Sequence, residues 1–195
     1  MSVPTPILII SSSEALQTAV ALRDRTNNLI TANGFLFHCE TWDDFFKSSV
    51  RGRNQSFWDL LYIKSQEMKK EKGYVVALWT FDDQAIIREK YCKVARGNVI
   101  LEYGLFYGAL GPDYMFYFTE VNSHPYTPTY IPTDLAGIRY DTIKDSIDIN
   151  SAADTILNRL LKDPRTRNSG LDSKTGTLSS DEKNPLIGNI LNYNV

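Results

Sequence analysis

Residues 7–10 form a continuous run of isoleucine and leucine, and this run limits the possible folds more than any other part of the chain. A strand without polar alternation is buried on both faces, which is typical of the centre of a parallel sheet. Further strands are predicted at residues 35–39, 74–80, 114–119 and 138–143. Helices are predicted at residues 16–30, 56–70, 96–111 and 151–162. This alternation predicts an α/β fold: an open, doubly wound, mainly parallel sheet of about five strands with helices on both faces.

The segments between these elements are less regular. Residues 40–55 are predicted to be a polar loop, and a short helical or irregular stretch is predicted to lead from Asp83 to the helix at 96–111. From Pro164 onwards the composition becomes rich in serine, asparagine, glycine and charged residues. We therefore expect a domain at residues 1–163, followed by a linker and C-terminal tail at 164–195. The tail is either a docking segment or the start of a further domain.

Composition excludes several classes of function. The net charge of −2 disfavours a protein that binds nucleic acid directly by neutralising phosphates. No apolar run is long enough to span a bilayer and no signal peptide is visible, so we expect a cytoplasmic protein that does not bind membranes. Cys39 and Cys92 provide no disulfide framework. His38 and Cys39 are adjacent on a predicted strand and would face opposite sides, so no metal site is predicted.

The helix at residues 96–111 contains one unusual group. Asn98 is the predicted N-cap and Gly111 the predicted C-terminal cap, and Glu102 is the only formal charge between them. No lysine or arginine lies three or four residues from Glu102, so no cation pairs with it along the helix. Two interpretations remain open: a functional carboxylate, or a structural partner of an arginine from elsewhere in the fold.

Doubly wound sheets bind ligands beyond the carboxyl ends of their strands, where the strand order reverses. The predicted strand ends lie at residues 11–14, 40–46 and 80–83, which supply hydroxyl groups, an aromatic ring and several carboxylates. The helix that carries Glu102 begins at the same edge of the sheet as these strand ends if it follows the third strand. The sequence therefore predicts one crevice at this edge of the sheet.

Residues 96–108, RGNVILEYGLFYG, resemble the R-D-N-V-x-F-E-L-G-L-F-x-G signature of the TIR-like, predicted nucleotide-binding family. That family supplies effector domains to bacterial antiphage systems signalled by cyclic nucleotides, including CBASS, Pycsar and TIR–STING fusions. Residues 10–14, 80–83 and 132–137 match further family motifs in the same order. The chain departs from the pattern at Gly97, Tyr103 and Phe81.

The resemblance implies a flavodoxin-like TIR fold and cleavage of the nicotinamide–ribose bond of NAD, which is a substrate and not a cofactor. Glu102 matches the catalytic glutamate of the family. A nearby carboxylate can stabilise the positive charge that develops on the sugar when an N-glycosidic bond breaks. The resemblance also implies a homo-oligomer and a cyclic-nucleotide sensor, either as a further domain or as a partner protein.

Substrate-binding roles are predicted for residues of the crevice. Ser11, Ser12 and Ser13 are expected to bind ribose or phosphate, unless one of them only caps the first helix. Trp42 is expected to stack on nicotinamide or adenine, or otherwise to pack in the protein. Asp43 is expected to contact ribose or to stabilise a turn. Trp42, Asp43 and Phe46 are the counterparts of residues in the family's W-x-D-G-x-F-x-P-G loop, which residues 40–55 loosely resemble.

Three residues nearer Glu102 complete the predicted set. Arg96 is expected to bind phosphate or to neutralise Glu102, Asn98 to lie beside the substrate, and Asp82 to be a substrate contact or a helix N-cap. The basic residues Lys47, Arg51 and Arg53 are interpreted as a solvated face. Two alternatives to NAD cleavage remain open: a non-catalytic TIR-like module for nucleotide binding or assembly, and an enzyme similar to nucleoside deoxyribosyltransferases.

Overall fold

A computed structural model describes residues 3–48, 56–120, 129–130, 141–143 and 146–167 of the 195-residue chain. The predicted motif at residues 132–137, the basic residues Arg51 and Arg53, and most of the predicted tail lie outside the described residues. In chain order the elements are β1 Thr5–Ile10, α1 Leu16–Ala32, β2 Phe37–Thr41, α2 Trp42–Ser48, α3 Phe57–Glu71, β3 Tyr74–Trp79, β4 Asp83–Ile87, β5 Lys90–Val94, α4 Gly97–Leu110, β6 Met115–Glu120, β7 Thr129–Tyr130, β8 Asp141–Ile143, α5 Ser146–Leu160 and α6 Pro164–Arg167.

The main sheet has five parallel strands in the order β2-β1-β3-β6-β8. Counted along the chain within this sheet, the order is 2-1-3-4-5, which is the flavodoxin-like arrangement. Its switch point lies between the carboxyl ends of β1 and β3. The predicted α/β fold is confirmed. Strand β1 lies inside the sheet, between β2 and β3, and its last four residues are fully buried.

Two apolar cores cover the two faces of this sheet. On one face, Ile7 and Ile9 of β1 pack with residues of α1 and α5. On the other face, Leu8 and Ile10 pack with residues of α2, α3 and α4. Since successive side chains of a strand point to opposite faces, the continuous apolar run of β1 supplies both cores. None of the helices in the described ranges combines the length and apolar composition needed to cross a bilayer.

Helix α3 is fixed at both ends by local interactions. Ser56 and Asp59 form a capping box, which confirms the predicted start of the helix. Lys72 ends it in the left-handed conformation, with φ 51°, and the Gly73 N–H donates to Met68 O at 2.8 Å. Phe57, in the first turn of the helix, is 42% exposed.

Other boundaries and short elements differ from the sequence predictions. Residues 42–48 of the predicted polar loop form α2, and the predicted irregular stretch after Asp83 contains the β4–β5 hairpin. Strand β2 was predicted at residues 35–39 but runs from Phe37 to Thr41. Helix α4 begins at Gly97, so Arg96 and not Asn98 occupies its N-cap position, without a side-chain capping bond. Gly111 ends α4 at φ 82°, as expected for a glycine cap.

Candidate functional site

Glu102 lies on the inner side of α4 and is 4% exposed. Its Oε1 accepts a hydrogen bond from the Trp42 indole Nε1 at 3.0 Å. Its Oε2 is buried, and no partner for it is found among the described residues. One oxygen is thus fixed while the other retains its capacity to accept a hydrogen bond.

No cation in the described part of the chain compensates the charge of Glu102. Burial raises the pKa of Glu102 to about 7, and the hydrogen bond from Trp42 partly opposes this shift. The carboxyl therefore titrates near neutral pH and is a carboxylate mainly above pH 7. A titratable group with a strongly shifted pKa and an unused acceptor is a candidate functional group.

The start of α2 positions Trp42. Thr41 and Asp44 form a capping box in which the Asp44 N–H donates to Thr41 Oγ1 at 3.2 Å and the Thr41 N–H donates to Asp44 Oδ2 at 2.9 Å. Arg23 of α1 also donates to Asp44 Oδ2 at 2.7 Å. Burial acts to raise the pKa of Asp44, but these donors outweigh it and hold the pKa at about 2. Asp44 thus stays ionised and anchors the helix turn that carries Trp42.

An aromatic cluster encloses the Trp42 indole. Phe45 stacks on it with ring centroids 5.1 Å apart and an interplanar angle of 11°, and Phe46 lies 4.6 Å away. Phe57 and Phe106 approach its edges, each at 6.2 Å. Trp42 therefore packs in the protein, with Phe45 stacked on its indole, and its stacking on nicotinamide or adenine stays a prediction. These rings form an aromatic wall around the indole that donates to Glu102.

A second, polar group of predicted residues lies at the switch point. Ser12 is buried, and its Oγ is 2.9 Å from Thr80 Oγ1, which donates to Asp82 Oδ2 at 2.5 Å. Ser12 Oγ also accepts from the Ala15 N–H at 3.2 Å, so this serine stabilises the turn that leads into α1. These contacts link the ends of β1 and β3. Thr80 was not among the predicted site residues, although it follows a buried strand and precedes Asp82 and Asp83 by only two and three positions.

Arg96 joins this polar group and not Glu102. Its guanidinium donates to Glu14 Oε1 at 2.8 Å, to Asp83 Oδ1 at 3.4 Å and to Ser13 Oγ at 3.2 Å. The hypothesis that Arg96 neutralises Glu102 is therefore wrong. The helix N-cap role considered for Asp82 is also wrong, because strand β4 follows it.

The remaining predicted residues lie on the surface. Asp43 forms an ion pair with Lys47 at 2.6 Å within α2, which fits the solvated role expected for Lys47. Asn98 is exposed on the first turn of α4, and Ser11 is half-buried after β1. Across the described residues, no group of three or more histidine, cysteine, aspartate or glutamate side chains is arranged to hold a metal ion.

A flavodoxin-order sheet with a polar switch point and a buried glutamate on the following helix defines a TIR-like domain. A family model described as the TIR domain of CAP12/Pycsar effector proteins matches residues 7–145. The chain belongs to this family of TIR-domain effectors in antiphage defence. This confirms the family predicted from the motif around Glu102.

Curated relatives give the same result. The chain is 35% identical over 162 residues to the CD-NTase-associated protein 12 of Lachnospiraceae bacterium (strain RUG226), covering 81% of this chain and 44% of that protein. It is also 35% identical over 147 residues to the CD-NTase-associated protein 12 of Flavobacterium daejeonense, covering 74% of this chain and 40% of that protein. The chain thus spans less than half the length of these relatives.

Proposed function

We propose that this chain is an NAD glycohydrolase that cleaves the nicotinamide–ribose bond as a toxic effector in bacterial antiphage defence. The observation that carries the proposal is the state of Glu102: it is buried, it is held by Trp42 Nε1 at 3.0 Å, and its Oε2 has no partner among the described residues. A carboxylate fixed in this way can stabilise positive charge without reorganising during the reaction.

The reaction needs little else from the protein. Water adds to C1′ of the ribose as the bond from C1′ to the nicotinamide nitrogen breaks, and the bonding electrons leave with nicotinamide. The products are nicotinamide, ADP-ribose and a proton. Because the pyridinium nitrogen is already cationic, nicotinamide leaves as a neutral molecule and requires no general acid. Glu102 would stabilise the oxocarbenium-like sugar and accept a hydrogen bond from a ribose hydroxyl through Oε2.

The polar group at the switch point would bind the rest of NAD. Ser13 and Arg96 lie where α1 begins, and the N-terminus of a 17-residue helix favours a pyrophosphate. The aromatic wall around Trp42 would exclude water from the nicotinamide side. NAD would be the substrate, and no cofactor would be required.

The biological setting is part of the same proposal. The names of the relatives associate them with CD-NTases, which supports activation by a cyclic-nucleotide signal, sensed by a further domain or a partner protein. We expect the active form to be a homo-oligomer in the cytoplasm.

One observation favours the alternative of a non-catalytic module for nucleotide binding or assembly. Arg96 is already paired with Glu14 and Asp83, so it offers less positive charge to a pyrophosphate than an unpaired arginine would. This alternative predicts nucleotide binding or self-association without turnover.

The test is nicotinamide release from NAD at high protein concentration, with and without a panel of cyclic nucleotides. Wild type, Glu102→Gln and the matched control Glu67→Gln, which alters an exposed glutamate of α3, are compared. We expect Glu102→Gln to lower turnover by about 100-fold or more, as for other charge-stabilising groups, and Glu67→Gln to match wild type. Full activity in Glu102→Gln, or no turnover by folded, assembled wild type under any condition, would overturn the proposal.

A further inference from the structure

The β4–β5 hairpin has an unpaired edge in the described part of the chain. The small sheet has the order β4-β5-β7, which leaves one side of β4 open. The turn at residues 88–89 is flanked by the pair Ile87–Lys90, whose backbone groups bond to each other in a two-residue hairpin. Pairing alternates along the ladder, so the N–H and C=O groups of Gln84 and Ile86 are directed away from β5. Such an edge is a template for another strand.

Apolar surface accompanies this edge. Ile86 and Tyr91 are directly opposite each other in the hairpin register and are 73% and 56% exposed. Single exposed apolar side chains are common on protein surfaces. Here two cross-strand neighbours form one patch next to unpaired backbone groups, which is the combination that a partner strand would cover.

The order of charges along β4 favours a second copy of this chain as that partner. Asp82 lies just before the strand, and Arg88 lies just after it. If two β4 strands pair antiparallel with Ala85 at the symmetry axis, Gln84 lies opposite Ile86 of the second copy, and Asp82 lies opposite Arg88 of the second copy. The outward N–H and C=O groups of Gln84 then bond to the C=O and N–H groups of Ile86 of the second copy, and the symmetry axis repeats these bonds. A parallel pairing would instead place like charges side by side.

The turn supplies an independent indication. Arg88 and Glu89 both have positive φ, at 50° and 64°, which is uncommon for residues with a side chain. A two-residue hairpin turn of this kind usually contains asparagine and glycine. Strained backbone of this type often marks a site of function. Here it places the charged Arg88 side chain at the end of the open edge.

We propose that the outer edge of β4 is a homotypic interface at which two copies pair antiparallel about Ala85. The two small sheets then form one continuous sheet with an isologous contact. Because the open edge begins at Asp83, next to Asp82 of the switch point, the interface would adjoin the candidate site. The inference does not depend on NAD cleavage, since it concerns association alone.

The first test is sedimentation equilibrium of the full chain over a concentration series. We expect wild type to dimerise and Ile86→Lys to raise the dissociation constant at least tenfold. The matched control is Tyr62→Lys, which replaces another exposed large side chain, 59% exposed on α3, and should behave as wild type. The proposal would be overturned if wild type stayed monomeric up to about 1 mM, the concentration that corresponds to a weak association of about −4 kcal/mol. A dimer weakened by Tyr62→Lys and not by Ile86→Lys would also overturn it.

The second test checks the register. Gln84→Cys and Ile86→Cys chains are purified separately, mixed and oxidised with diamide. We expect a disulfide-linked dimer in the mixture and at least fivefold less in either variant alone, because only the mixed pair places the two cysteines opposite each other. Equal crosslinking in all three samples, or none in the mixture, would contradict the antiparallel pairing.

Discussion

Burial of Glu102 links the stability of the domain to pH. Its pKa is about 7 in the folded chain against an ordinary value of 4.5, so folding favours its protonated form. The stability due to this group is fully present below pH 4.5 and is lost as the pH rises to about 7, amounting to at most about 3 kcal/mol. Glu102→Gln stays neutral, so we expect it to be more stable than wild type at pH 8 by roughly 1–3 kcal/mol and nearly equal to it at pH 4.5. Urea unfolding at both pH values measures the difference. An equal difference at the two pH values would contradict this linkage.

Trp42 is predicted to act through its N–H group as well as through its ring. Trp42→Phe keeps an aromatic side chain but removes the donor to Glu102 Oε1. A hydrogen bond to a charged group contributes about 1.5–3 kcal/mol, so we expect kcat to fall roughly 10- to 100-fold with little change in KM. Since the lost bond favoured the carboxylate, the midpoint of the activity profile should also move from near pH 7 to a higher pH.

The control is Trp58→Phe, because Trp58 is 55% exposed on α3 and should leave kcat unchanged. Steady-state nicotinamide release between pH 5 and 9 gives both quantities. A lower kcat with an unmoved pH midpoint would indicate that Trp42 matters only for packing.

Sequence alone identified Glu102 because a lone carboxylate in an apolar helix is visible without a structure. It did not identify the partner of that carboxylate. Trp42 is 60 positions away in the chain, and its contact depends on how α2 and α4 pack over the same face of the sheet. The role of Arg96 was left open for the same reason, since its partners Glu14 and Asp83 belong to other elements.

At the scale of single elements, the end of α3 contains two neighbouring residues whose substitution should change the stability of the domain in opposite directions. Lys72 has φ 51°, a conformation that glycine adopts without strain, so Lys72→Gly should stabilise the domain by about 0.5–1 kcal/mol. A Cβ at Gly73 would lie 2.7 Å from Met68 Cε and 2.8 Å from Pro6 O. Backbone cannot move aside as easily as a flexible side chain, so Gly73→Ala should cost about 1–3 kcal/mol. Urea unfolding of both variants and of wild type measures these changes in the free energy of unfolding. A destabilised Lys72→Gly variant or a stabilised Gly73→Ala variant would contradict the described conformation of this loop.

The elements that the sequence predicted well are those with long apolar patterns. Strands β1, β3 and β6 fall within one or two residues of their predicted bounds, because a buried strand needs an unbroken apolar run. Helix α2 was missed because it has only seven residues, although the pair Thr41 and Asp44 has the spacing of a capping box. The hairpin was missed because its turn residues, Arg88 and Glu89, are not those that usually signal one.

At the scale of the whole molecule, the two faces of the sheet have different roles. The core on the face covered by α1 and α5 includes Tyr74, whose hydroxyl donates at 2.7 Å to the buried Asp163, a carboxylate that is paired with Arg165. The other face carries Trp42 and Phe106 of the aromatic wall in its core, and Glu102 lies beside them. The switch point lies where the two layers meet at the ends of β1 and β3. A ligand that contacts both the polar group and Glu102 would therefore bridge separate elements of the fold.

Such a ligand should stabilise the entire domain, which gives a prediction that is independent of turnover. Glu102→Gln is expected to bind NAD without consuming it, so its melting temperature can be measured at saturating NAD. If NAD binds only the folded state, a concentration 100 times its dissociation constant adds about 2.7 kcal/mol to the free energy of unfolding. For a chain of this size, that corresponds to a rise in melting temperature of roughly 5–10 °C. Deoxyadenosine at the same concentration is the control, because a deoxyribosyltransferase-like site would prefer it. A rise with deoxyadenosine and none with NAD would favour that class of enzyme, and no rise with either would argue that the crevice does not bind nucleotides in this chain.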